Sequence, residues 1–286
     1  MAGPSTIAQH SLAAYHRLMN TGLRSLLLLP LAALLACGSS SPSVGGTSPV
    51  SGNYIISATS GNSGTSTYTG GLNISGSTVT GLFQFTNSSS ACNGTYIPVT
   101  GTINSSNLLT LTSGVFAGNT ATLTIQFPLT HSTTYTYNAS GTAQIAAGSS
   151  GTNCAISSAP ASALYLAPYT ATWTGTLTSG SISGTATLVV AEPITTGSTF
   201  NLNSSGQFPA TGTIAFSSSA CTFAPIALTG NVSGFTLELN QSVSSSQSPI
   251  VVSASEFANP IAFNLLIPTS STVSCPSGTY SGNLTQ

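Results

Sequence analysis

The chain has no lysine and no aspartate. Its formally charged side chains are Arg17, Arg24, Glu192, Glu238 and Glu256, out of 286 residues. A soluble domain usually carries about a quarter charged residues. Each shortage excludes a class of chemistry. No Lys or Arg follows Arg24, so nucleic-acid binding lacks the cations that neutralise phosphates. A phosphate-binding loop lacks its lysine for the same reason. Calcium sites need clustered carboxylates, and zinc sites need several His or Cys ligands. After residue 37 the sequence offers His131 as its only histidine, plus four cysteines in a paired pattern. No cofactor, metal site or nucleic-acid partner is therefore expected. Long apolar runs are also scarce, since there is one, near the N-terminus. Disorder is excluded by the 40% of residues that are apolar and patterned, because disordered chains pair low hydrophobicity with high net charge.

Residues 26–36 are leucine- and alanine-rich, about the length of a signal-peptide apolar region and preceded by Arg17 and Arg24. The run is shorter than the roughly 20 residues a transmembrane helix needs. It ends in Leu34, Leu35, Ala36 and Cys37. This motif resembles the lipobox of bacterial lipoproteins. The resemblance covers only the first 37 or so residues. It implies removal of residues 1–36, lipidation of the Cys37 thiol (palmitate among the acyl groups) and attachment to a membrane of the cell envelope. In enteric lipoproteins a residue other than Asp after the cysteine directs the protein to the outer membrane, and here that residue is Gly38. Met19 lies a typical signal length before Cys37 and is an expected alternative start. Residues 37–52 are Ser/Gly/Pro-rich and read as a flexible tether.

The remainder carries a divergent duplication. Ser88, Ser89, Ser90, Ala91 and Cys92 recur as Ser217, Ser218, Ser219, Ala220 and Cys221. Thr100 and Gly101 follow the first cysteine at the distance at which Thr229 and Gly230 follow the second. Ser149, Ser150 and Cys154 match Ser270, Ser271 and Cys275. Tyr54 and Tyr280 each end a Ser-Gly-x-Tyr quartet, and Trp173 and Tyr280 each begin an aromatic-x-Gly-x-Leu pattern. Four cysteines allow three pairings. The duplication favours Cys92 with Cys154 and Cys221 with Cys275, which leaves Cys37 for lipid. An exported compartment permits such bridges.

Alternating apolar residues predict strands. Leu123, Ile125 and Phe127 form one face, Ile214 and Phe216 another, and Phe235, Leu237 and Leu239 a third, with Glu238 outward. Residues 185–190 also read as a strand. Turn-forming clusters recur every 8–12 residues or so, as in sandwiches and barrels. The expected fold is all-β. It comprises two tandem antiparallel β-sandwich or small β-barrel modules, at 53–167 and 168–286, after the signal peptide and tether. Residues 155–168 read as the connection between modules. One continuous barrel and a membrane-spanning barrel are the alternatives. The whole resembles Ser/Thr/Gly-rich β-modules of lipoproteins from environmental bacteria, a likeness that implies no activity.

The leading functional expectation is a non-catalytic, lipid-anchored envelope protein with a binding or structural role. Hydroxyls, amides and tyrosines such as Tyr96, Tyr135 and Tyr137 suit a glycan or an envelope protein as partner. The Asn-x-Ser/Thr triplets at Asn73, Asn138 and Asn231 reflect composition. The competing class is an envelope hydrolase of glycoside-hydrolase type using two of Glu192, Glu238 and Glu256, or His131 beside a serine. Glu192 is expected in a turn before Pro193, Glu238 on a solvent face, Glu256 near a strand end and His131 in a hairpin loop. With so few titratable groups, thermal stability is expected to be nearly flat from about pH 3 to pH 8.

Overall fold

The computed structural model describes residues 51–61, 64–133, 136–148, 154–192, 202–203, 205–255 and 260–286, with the backbone alone for 131–133. The signal segment, Cys37, residues 38–50 of the tether, Met19, Tyr135, Glu256 and the side chain of His131 lie outside the described residues. The last two residues read as tether belong to the first barrel instead: Ser51 is buried, its Oγ accepting from the Ile74 N–H at 2.8 Å, and Gly52 opens the first strand. The first eight strands are β1 (Gly52–Ser60), β2 (Gly64–Ser75), β3 (Thr78–Thr86), β4 (Tyr96–Ile103), β5 (Leu108–Ser113), β6 (Thr120–Thr133), β7 (Thr136–Ala146) and β8 (Ile156–Leu166). Each pairs antiparallel with the next, and β8 returns to β1, closing a barrel. Strands β9 (Ala171–Ser179), β10 (Ile182–Ala191), β11 (Phe208–Ser218), β12 (Thr222–Ser233), β13 (Thr236–Gln241), β14 (Val251–Ala254), β15 (Ile261–Ile267) and β16 (Gly278–Thr285) repeat the same order. Pairing of β16 with β9 closes the second barrel. The all-β tandem architecture is thus as expected. Of the sandwich, single-barrel and two-barrel possibilities, two closed barrels are found.

Period-two alternation fills the interiors. In the first barrel Tyr54, Ile56, Tyr68, Leu72, Phe83, Phe85, Leu123 and Ile125 are fully buried. In the second, Trp173, Leu188, Phe216, Leu239, Phe263 and Tyr280 are. Eight strands leave a lumen that side chains just fill. The aromatic rings meet at tilted or edge contacts, with Tyr54 to Tyr165 at 5.3 Å and Phe216 to Tyr280 at 5.1 Å between centroids. The outward positions carry hydroxyls instead. Thr78, Thr102, Thr110, Thr124 and Thr142 form one lateral row across five strands. The hydroxyls of Thr124 and Thr142 lie 2.9 Å apart.

The duplication becomes an equivalence of strands. Cys92 and Cys154 are bonded, as are Cys221 and Cys275. In each barrel the bridge joins the connection before the fourth strand to the connection before the eighth. Those connections lie on one rim, on opposite sides of the mouth. The chain enters and leaves each barrel at the other rim. Gly101 and Gly230 also hold equivalent places, on the fourth strands β4 and β12. A Cβ on Gly101 would lie 1.9 Å from the Thr110 carbonyl oxygen, and one on Gly230 would lie 1.9 Å from that of Glu238. The neighbouring backbone passes where a side chain would stand, as happens at barrel bends. By contrast, the likeness of Tyr54 to Tyr280 links β1 to β16, which are not equivalent. The aromatic-x-Gly-x-Leu residues of Trp173 and Tyr280 lie on β9 and β16, neighbours in one barrel. These recurrences mark a type of strand and carry no information about copy number.

Three local expectations are corrected. Residues 155–168 are mostly strand β8, whose inward residues Ala159, Ala161 and Ala163 are small and buried. The connection between barrels is only 167–170. Phe235 is not inward. Gly234, with φ 52°, turns the chain between β12 and β13 and leaves Phe235 38% exposed. Tyr137 is buried, not superficial, with its ring 5.8 Å from that of Tyr165. Gly101→Ala and Gly230→Ala are each expected to cost about 1–3 kcal/mol in urea unfolding of the oxidised protein, through overpacking. Gly114→Ala, whose Cβ meets nothing within 4 Å, should change stability by less than about 0.5 kcal/mol.

Candidate functional site: a buried glutamate between the barrels

Outward positions on the first barrel are mostly Thr and Ser, but one patch is apolar. Ile55 on β1 pairs with Leu164 on β8 and Thr69 on β2, while Gly71 on β2 pairs with Leu82 on β3. The second barrel meets this patch. A Cβ on Gly71 would lie 2.3 Å from the ring of Phe208 and 2.6 Å from Leu202, and one on Gly234 would lie 2.8 Å from Thr69. Asn53, outward by alternation, is nevertheless buried, and its Nδ2 donates to the Gly234 carbonyl at 2.8 Å. The burial of an outward asparagine marks where the barrels touch.

Glu192 sits beside this contact. It directly follows the last residue of β10 and is 7% exposed. Its carboxyl accepts a hydrogen bond from the Tyr169 backbone N–H, and its own N–H donates to Thr170 Oγ1 at 2.9 Å. The end of β10 is thereby clasped to the connection between barrels. Tyr169 is held in turn. Its hydroxyl donates to the Phe235 carbonyl at 2.8 Å, and its carbonyl accepts from Trp173 Nε1 at 3.0 Å. Burial pushes the Glu192 carboxyl up to about 8, against the smaller opposing effect of the Tyr169 N–H. Burial also raises Tyr165 well above the usual phenol range, with smaller contributions from the charges of Glu192 and Tyr137. Because no Lys or Arg follows Arg24, no such side chain of the barrels can pair with Glu192.

The turn expected at Glu192 is therefore replaced by a buried acid. The sequence did contain a signal. Ala186, Leu188 and Val190 point inward on β10, and alternation carries the inward parity on to Glu192. Glu238 is exposed on β13 as expected, with its Oε1 accepting from Asn240 Nδ2 at 3.1 Å. The two described glutamates thus occupy opposite environments, one inside and one in solvent. The backbone of His131 lies within β6, opposite Tyr137, so it belongs to a strand end and not to a loop. Among the described residues, no group of three or more His, Cys, Asp or Glu side chains converges.

A raised carboxyl reverses the flat pH response expected from composition. Below the unfolded value near 4.5 both states hold the proton. Between there and about 8 only the folded state does, so stability falls as pH rises. Above about 8 both states are ionised and the slope vanishes. Denaturant unfolding from pH 4 to pH 9 should show a loss on the order of a few kcal/mol, and Glu192→Gln should abolish most of it. A wild-type profile that stays level would contradict this assignment.

No family model, characterised protein or solved structure matches the chain.

Proposed function

We propose that the protein is a lipoprotein of the cell envelope, held to a membrane through Cys37, with its two barrels acting as non-catalytic binding or spacer modules. The observation that carries this reading is the direction of the side-chain alternation. Both barrels put apolar residues inside and Thr, Ser and Asn outside. A membrane-spanning barrel does the reverse, with an apolar band facing lipid and a polar lumen. These barrels therefore belong in water. Any attachment to a membrane then falls to the segment ending in Leu34, Leu35, Ala36 and Cys37, where two or more acyl chains would anchor stably. The Gly38 that follows suits the outer membrane.

The outer hydroxyl and amide rows favour a neutral, hydrogen-bonding partner such as a glycan or a neighbouring envelope protein. The hydrolase alternative draws on Glu192, which as a protonated acid has the ionisation a proton donor needs. Its burial and its use in clasping the connection favour a structural role. Radiolabelled palmitate should enter the expressed protein, and Cys37→Ser should abolish labelling and move the protein to the soluble fraction. Membrane association that survives Cys37→Ser without label would overturn the proposal.

A further inference from the structure

We propose that the contact between the barrels is a proton-operated clasp: with Glu192 protonated the connection at 167–170 is held and the barrels form one body, and on loss of that proton the connection loosens and the barrels reorient. The geometry is that of a hinge. Only four residues join β8 to β9, and hydrogen bonds tie them to the second barrel. They include Tyr169 N–H to the Glu192 carboxyl, Glu192 N–H to Thr170 Oγ1, Tyr169 hydroxyl to the Phe235 carbonyl and Trp173 Nε1 to the Tyr169 carbonyl. Across the contact, Asn53 adds one bond to Gly234, and its own Oδ1 is buried with no hydrogen-bond partner. The bonds to Tyr169 N–H and Thr170 Oγ1 both pass through Glu192 itself.

Among the described residues, the titratable groups around Glu192 are phenols. Tyr165 comes from β8 and Tyr169 from the connection, with Tyr137 of β7 and Tyr54 of β1 against Tyr165 in turn. From β9 the neighbour is Trp173, and the β12–β13 turn contributes backbone at Gly234 and Phe235. None of these can supply a positive charge. An ionised carboxyl buried without a cation is far costlier than the hydrogen bonds that hold it. It is relieved by reaching water, which requires the end of β10 to leave the connection. The barrels need not unfold when this happens, because each ring is closed by its own pairing and crossed by its own disulfide. Burial that raises the Glu192 carboxyl places the change near neutral to mildly alkaline pH.

Hydrogen exchange of the full chain, corrected for intrinsic rate, tests this between pH 5 and pH 9. The amides of Tyr169 and Glu192, both bonded within the clasp, should lose at least tenfold protection at the higher pH, while those of β3 and β11 keep theirs. Glu192→Gln should hold the pH 5 pattern throughout. Equal protection at both values, or the same loss in Glu192→Gln, would overturn the clasp. Should Glu192→Gln fail to fold, Tyr169→Phe gives a second reading. Removing its hydroxyl weakens the closed state alone and should move the midpoint of opening to lower pH, and an unmoved midpoint would likewise refute the proposal.

Discussion

Ring closure is the constraint on which the rest depends. A strand edge presents unpaired amides and carbonyls, and proteins usually defend it with charge. This chain has almost no charge to spend there. Pairing β8 with β1 and β16 with β9 removes the edges instead. Once the sheets are closed, the inner face must be apolar and dense and the outer face must be wet. Threonine meets the outer demand without charge, since its branched side chain suits a strand and its hydroxyl suits water. Glycines such as Gly101 and Gly230 follow from the same closure, because a tightly curved sheet brings neighbouring backbones into the space a side chain would take.

The shortage of charge also gives Glu192 its character. In an ordinary protein a buried carboxyl is paired with Arg or Lys, and its ionised form is then the stable one. Here pairing with either is impossible after Arg24, so burial favours the neutral acid. A single titratable group at the contact between barrels can outweigh the composition of the whole chain. Counting ionisable residues suggests indifference to pH. Locating one of them reverses that conclusion.

Much of the fold was legible in the sequence, for reasons that can be named. Leu123, Ile125 and Phe127, or Ile214 and Phe216, alternate cleanly because each lies on a strand with one wet and one dry face. The motifs around the cysteines revealed the duplication because each pair holds the same two connections together in its own barrel, even though the separations differ at 62 and 54 residues. Residues 155–168 were misread because β8 buries alanines, whose small size serves the barrel's interior and hides the strand pattern. Phe235 was misread because a glycine turn reset the register beside it. Glu192 and Tyr137 share the inward parity of their strands, with Val190 on β10 and Ala143 on β7, but a polar side chain near a strand end follows that parity into the interior only when another element covers it. The contact between barrels was invisible for a related reason. Its residues, among them Asn53, Ile55 and Gly71, look like scattered exceptions until the second barrel is placed against them.

The disulfides have a mechanical side. In each barrel the first and last strands are neighbours, and the chain enters and leaves at one rim. Tension on the two ends of a barrel therefore peels β1 from β8, or β9 from β16, one hydrogen bond at a time, a weaker geometry than sliding strands past each other. The unravelling stops at the bridges. The segment between Cys92 and Cys154, with a separation of 62 residues, and that between Cys221 and Cys275, with 54, lie off the line of force. A pulled barrel would pay out its outer strands and then stiffen against a covalent stop, keeping strands four to seven as a loop that bears no load.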